Sequence, residues 1–124
     1  MKHILKGTSA AGLAVVKADA YGHGLAPVAK RALEAGASWV GTALLEESIQ
    51  LRDAGITAPI LAWLTPIHDD FEEALIKNID LAIPSIEHLE AVIKAAKARS
   101  IKPRLHLEVD TGMTRGGALG EWRA

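Results

Sequence analysis

Leu13-Ala-Val-Val-Lys-Ala-Asp-Ala-Tyr-Gly-His-Gly24 opens on four apolar residues, closes on a glycine pair and carries a lysine at the junction. Leu13 to Val16 read as a buried strand, and Gly22 and Gly24 allow a sharp turn into a helix that begins near Leu25 or Ala26. Lys17 then falls at the carboxyl end of the strand, where parallel (β/α) barrels keep their reacting groups. An amine set among Val15, Val16 and Ala18 is partly desolvated. That disfavours its charged form and makes it a better nucleophile toward an aldehyde, so imine chemistry with pyridoxal phosphate is its natural use. Taken alone, a lysine closing a strand is more often a solvated charge.

Moving outward, strand and helix signals alternate. Leu25 to Ala35 has apolar residues at Val28, Ala29, Ala32 and Leu33, with Gly36 at the stop position. Ser38 to Ala43 reads as a second strand, and Leu45 to Ala54 as a helix ended by Gly55. Pro59 to Trp63 is a third strand with proline at its first residue, followed by a loop at Pro66 and a helix over Asp69 to Lys77. Asp80 to Ile83 is a fourth strand stopped by Pro84. Ser85 caps the next helix, which runs to about Arg99 with Glu87 and Glu90 in its early turns. Leu105 to Val109 is the fifth strand. This rhythm predicts βαβ units and a parallel sheet, and leaves an open doubly wound sheet and a barrel arc equally open.

Composition narrows the function classes. Fourteen Lys and Arg against fifteen Asp and Glu give a formal charge of −1, with no basic block to neutralise a run of phosphates, which disfavours nucleic acid. The absence of cysteine removes disulfide frameworks and thiolate metal sites, and fits a reducing, cytoplasmic setting. Met1 to Lys6 followed by Ala10 to Val16 only faintly mimics a signal segment, and no run approaches the roughly 20 apolar residues of a membrane span. His3, His68, His88 and His106 show no metal-ligand spacing, so no metal is expected. With 124 residues the chain holds one core but not an eight-stranded barrel, which takes about 250.

The lysine segment closely resembles the cofactor-lysine motif of alanine racemases: lysine, a small residue, Asp or Asn, then Ala-Tyr-Gly-His-Gly. His106-Leu-Glu-Val-Asp-Thr-Gly-Met-Thr-Arg-Gly-Gly117 resembles that family's fifth barrel strand and its loop. Between them, Ala35-Gly-Ala-Ser-Trp-Val-Gly41, Leu45-Glu-Glu and Leu51-Arg-Asp-Ala-Gly-Ile-Thr-Ala-Pro-Ile-Leu61 are also similar, and Leu61 to Leu64 resembles actinobacterial members. Gly12 to Gly117 is covered. The resemblance implies a partial TIM-type barrel of about five βα units, of pyridoxal-phosphate fold type III. Residues 1–124 would then form a single incomplete N-terminal barrel domain without the family's C-terminal β domain.

For the site, the resemblance implies Lys17 as the catalytic residue that also bonds the cofactor, and Tyr21 as a ligand of the cofactor phosphate. Arg115 is implied for the cofactor's phenolic oxygen and the substrate carboxylate, a task suited to a planar, permanently charged donor. Many racemases carry a carbamylated lysine at the position of Glu108, and here a carboxylate is expected to supply that negative charge and orient Arg115. Period-two alternation groups Leu105, Leu107 and Val109 against the helices, and turns His106, Glu108 and Asp110 toward the axis. Strand one has Leu13, Val15 and Lys17 on one parity, so amine and carboxylate are expected to share a cavity. Trp63 and Leu64 could face the cofactor or the core, Trp39 reads as packing and Trp122 as tail, and His23 supports the turn.

The implied activity is interconversion of L- and D-alanine for cell-wall precursors, with alanine as substrate and a homodimer as the whole-length assembly. The family's second base, a tyrosine, lies in the C-terminal domain, so this chain alone is expected to be nearly inactive, with a tendency to self-associate or to complement another fragment. The competing readings are a non-catalytic pyridoxal-phosphate carrier barrel and an inert remnant.

Overall fold

The computed structural model describes residues 1–119. Trp122 lies outside them. Five strands form one all-parallel sheet in chain order, β1 (Leu13–Val15), β2 (Trp39–Thr42), β3 (Ile60–Ala62), β4 (Asp80–Ile83) and β5 (Leu105–Leu107). The registers pair Leu13 with Trp39, Val40 with Ile60, Leu61 with Asp80 and Leu81 with Leu105. Sequential neighbours joined by helices are the right-handed βα pattern of a barrel wall rather than of a doubly wound sheet, in which strand order reverses.

Helices cover one face. α3 (Leu25–Glu34) and α4 (Leu45–Asp53) lie over β1 to β3, where Val16, Leu25, Ala29, Val40, Leu51, Ile56 and Ile60 form one buried cluster. α5 (Phe71–Ile76) and α6 (Ile86–Arg99) close a second cluster with Ala62, Leu81, Ile83 and Val92. Fully buried Leu51, Ile60 and Leu81 each contribute about 1.5–3 kcal/mol relative to exposure. Ser85 does cap α6, its Oγ accepting from the His88 N–H at 3.3 Å, and Asp70 does the same for α5 at Glu73. The apolar pattern does not announce the short helix α1 (Lys2–Leu5) or the segment α2 (Lys17–Gly22), whose inner residues have left-handed backbone.

At the amino ends of the strands, Arg52 ties two connections together. Its guanidinium donates to the carbonyls of Ile56, Ala58, Lys77 and Asn78 at 2.7–2.8 Å. Burial lowers its pKa and Asp80 partly opposes that shift. Asp80, only 2% exposed, accepts from Arg104 Nε and Nη2 at 2.6 and 3.0 Å and lies 3.0 Å from His106 Nε2. Arg104 and His106 both rest on the Trp39 ring. Trp39 thus packs on the inner face, beside Leu13, Leu61 and His106.

The inner and outer parities of β5 are as the alternation implies, with His106 inward and Leu105 against the α6 cluster. One expectation is corrected: Leu107 and Val109 meet no covering helix and are 63% and 42% exposed. The strand is also shorter than expected, and Glu108 lies just beyond it.

Candidate active site

Lys17 follows β1 with only Val16 between them. The Val16 N–H donates to the Gly41 carbonyl at 2.9 Å, which carries the ladder one residue past the strand and fixes where the lysine leaves the sheet. Among the five strands of the described residues, β1 alone has a lysine within two residues of its carboxyl end. Its amine lies 5.0 Å from the centroid of the Tyr21 ring, a cation–π distance. The lysine is half-buried, whereas Tyr21 is 73% exposed with its hydroxyl free to reach outward.

Gly22 and Gly24 do adopt positive φ, 87° and 91°, at the entry to α3, but the turn that holds this lysine begins before them. Ala18, Asp19, Ala20 and Tyr21 have φ of 53°, 52°, 50° and 55°, a complete left-handed turn made of ordinary residues. Each such residue costs about 1–2 kcal/mol, so the turn persists only because its surroundings over-determine it. Ala20 is buried in the cluster under β1 and β2. The Ala20 N–H donates to the Val16 carbonyl at 2.8 Å, Gly24 to Asp19 at 3.0 Å, and Asp19 Oδ1 accepts from the first α3 N–H, Leu25, at 2.7 Å. Glu47 Oε1 accepts from the Ala18 N–H. Sequence reasoning missed both the turn and Glu47. The signal for the first is Asp19, a residue type that tolerates left-handed backbone and caps helices.

Gly41 keeps the inner face low next to the lysine's strand. A Cβ there would sit 2.6 Å from both Leu13 Cδ2 and Trp63 Cζ3, so the Trp63 ring packs directly over the β2 backbone. Trp63 therefore faces inward, and Leu64 is exposed.

The segment after β5 forms a compact return. Glu108 donates its N–H to Ile83 at 3.1 Å, and Val109 bridges Ala118. Gly117, at φ 101°, has no room for a Cβ, which would meet the Asp110 nitrogen at 2.7 Å. Asp110 Oδ1 accepts from the N–H groups of Gly112 and Thr114 at 2.8 and 3.0 Å, and these bonds hold its carboxyl below the usual carboxylate value. Arg115 sits at the exposed tip, and the Glu108 carboxylate lies against Gly116, 3.2 Å from where a Cβ would be.

Among the described residues no hydrogen bond or ion pair links Lys17, Glu108 and Arg115, so the expected cavity shared by amine and carboxylate is not formed by contact. The reason is geometric. Lys17 extends β1 and Glu108 extends β5, the two ends of the strand order. Any approach between them is made across the curve of the sheet, whose inner face brings Leu13 of β1 and His106 of β5 to one pocket. Elsewhere on the carboxyl side, Asp69 has a buried Oδ2 without a partner, and burial followed by Glu46 raises its pKa, with His88 opposing. Among the described residues, no group of three His, Cys, Asp or Glu is placed to hold a metal ion, and no helix is long and apolar enough to cross a membrane.

A parallel arc with sequential strand order and helices packed on one face defines part of a (β/α)-barrel wall. The chain belongs to the alanine racemase family, matching the family described as alanine racemase, N-terminal domain, over residues 1–123. It is 50% identical over 113 residues to the alanine racemase of Thermobifida fusca, covering 90% of this chain and 30% of that protein. With the alanine racemase of Salinispora tropica it shares 45% identity over 117 residues, 94% of this chain and 32% of that one. Among solved structures, the alanine racemase from Streptomyces coelicolor A3(2) superposes with a TM-score of 0.90 at 37% identity, covering 96% of this chain and 32% of that one. The enzyme from a D-cycloserine-producing Streptomyces lavendulae gives 0.88 at 42%, covering 90% and 29%. The chain therefore spans about 30% of the length of these relatives.

Proposed function

We propose that this chain supplies the first barrel strands and the reacting amine of a pyridoxal-phosphate-dependent amino-acid racemase that interconverts L- and D-alanine. The observation that carries the reading is Lys17, held by a left-handed turn at the carboxyl end of β1. The residues present suit the cofactor: an amine for its aldehyde, and the neighbouring Tyr21 hydroxyl for a phosphate oxygen. When bound, pyridoxal phosphate supplies the aldehyde and a conjugated ring that disperses negative charge from the substrate Cα.

In this reading Lys17 Nζ would hold the cofactor through its aldehyde and, once displaced by the substrate amine, would move the proton at Cα on one face of the substrate. Tyr21 donates from its hydroxyl. Arg115 holds the substrate carboxylate, and the cofactor's phenolic oxygen, through paired N–H donors. Glu108, on the same short return and against Gly116, acts through Arg115 by setting its orientation. Residues 1–124 would constitute a single, incomplete barrel domain of a cytoplasmic enzyme that works as a homodimer. Taken alone, the 124-residue chain exposes an edge at β1 and another at β5, which favours self-association or pairing with a complementing fragment.

The test is borohydride reduction after incubation with pyridoxal phosphate, followed by peptide mapping. A pyridoxyl label concentrated on the Lys17 peptide and lost in Lys17→Arg is expected. Labelling spread evenly over surface lysines would refute the assignment. Racemisation of alanine by the whole-length protein, abolished by Lys17→Arg, then separates the enzyme from a carrier.

A further inference from the structure

We propose that Glu47 is a positioning residue for Lys17, acting through the peptide N–H of Ala18; the functional part of this inference rests on Lys17 being the cofactor-bonding amine. The two oxygens of Glu47 have different tasks. Oε2 accepts from the N–H groups of Ala43 and Leu44, both at 3.0 Å, and so satisfies the backbone entering α4. Oε1 is not needed for that. It reaches into a different βα unit and accepts from Ala18, 29 residues earlier, at 2.5 Å.

The Ala18 N–H belongs to the peptide plane between Lys17 and Ala18. Fixing that plane restrains ψ of Lys17 and φ of Ala18 together, hence the direction in which the lysine leaves the sheet and the entry to the left-handed turn. Among the described residues, the other hydrogen bonds made within the turn after Lys17 come from residues 16–25, while Val16 on its strand side is held by Gly41. Glu47 ties the turn itself to the loop after the next strand. The carboxylate is itself anchored, because its turn is fixed by the buried pair Thr42 Oγ1 and Ser48 Oγ at 2.6 Å and by Thr42 Oγ1 donating to the Leu44 carbonyl at 3.2 Å. A half-buried carboxylate accepting from three backbone N–H groups is a stiff support.

Glu47→Gln replaces one acceptor by an NH₂ donor, so either Ala18 or the α4 entry loses its partner. Glu47→Asp keeps the charge at α4 but withdraws the reach to Ala18. Exposed Glu46, whose Glu46→Gln variant leaves the Ala18 contact intact, is the control. Amide exchange and competitive acetylation across pH, both without cofactor, report on the turn itself. In Glu47→Gln and Glu47→Asp we expect Ala18 exchange to accelerate about tenfold or more. The Lys17 acetylation profile should shift while the other lysines keep theirs, and pyridoxyl labelling of Lys17 should slow severalfold. Ala18 exchange and Lys17 acetylation like wild type in both variants, or changes no larger than those across α4, would overturn the proposal. A wild-type chain that takes no label at Lys17 refutes the cofactor reading instead, and Ala18 exchange and Lys17 acetylation still decide for or against Glu47.

Discussion

Ala18→Gly should make this protein more stable, against the usual cost of glycine in ordered backbone. Ala18 has φ 53° and ψ 49° and is exposed, so its methyl group adds strain without filling core space. Relief of about 1–2 kcal/mol of left-handed strain is offset by about 0.5–1 kcal/mol of extra unfolded-state entropy. The net is stabilisation of about 0.5–1 kcal/mol, or roughly 2–5 °C in Tm for a chain of this size. Ala20→Gly is the internal comparison. It relieves the same strain at φ 50° but removes a methyl group that is buried, worth about 0.8 kcal/mol, so it should be near neutral. Urea unfolding followed by circular dichroism, with unchanged m-values, gives both numbers. Ala18→Gly destabilising by about 0.5 kcal/mol or more would refute the reasoning, because the left-handed turn would then not be strained at that residue. The same substitution should slow pyridoxyl labelling of Lys17, since it loosens the segment that aims the amine.

Three further outcomes follow from packing and charge. Arg52→Ala should cost about 2–3 kcal/mol in urea unfolding, after discounting for partial exposure, because four carbonyls lose a charged donor; a loss within about 0.5 kcal/mol would show that water replaces the guanidinium. Gly41→Ala should destabilise by about 1–3 kcal/mol and shift the Trp63 emission, since the new Cβ falls 2.6 Å from that ring and from Leu13; an unchanged spectrum and stability would contradict the close contact. The Asp110 carboxyl is held below its ordinary value by the Gly112 and Thr114 amides, so its contribution to the order of the Arg115 return is full above the unfolded pKa of about 3.9 and is lost as pH falls through the lower folded one. Amide shifts of Gly112 and Thr114 should therefore titrate together below about pH 3.9, and a common midpoint at or above that value would refute it.

The parts of this fold that the sequence makes legible are those decided by neighbours along the chain. Strand and helix alternation follows from short apolar runs ended by residues that stop a helix, and Gly36 and Gly55 do adopt positive φ at those stops. Ser85 is readable as a cap because its partner is three residues away. The strand-end position of Lys17 is readable for the same reason. The left-handed turn after it is not, because nothing local requires Ala-Asp-Ala-Tyr to adopt positive φ, and Glu47, which braces the turn from outside, comes from 29 residues away.

Distances across the arc are a different kind of quantity. Alternation places Leu13 and His106 on the inner face of their strands, and this much survives, since parity depends only on counting along a strand. How far apart they stand depends on how many strands intervene and how sharply the sheet curves, and neither is encoded near either residue. The same holds for Arg104, whose carboxylate partner Asp80 is 24 residues earlier and becomes its neighbour only through the pairing of β4 with β5. A motif therefore identifies which side chains stand at strand ends, while the reach between them belongs to the whole wall. That is why Glu108 acts, in the reading above, on Arg115 seven positions along its own segment rather than on the amine at the far edge.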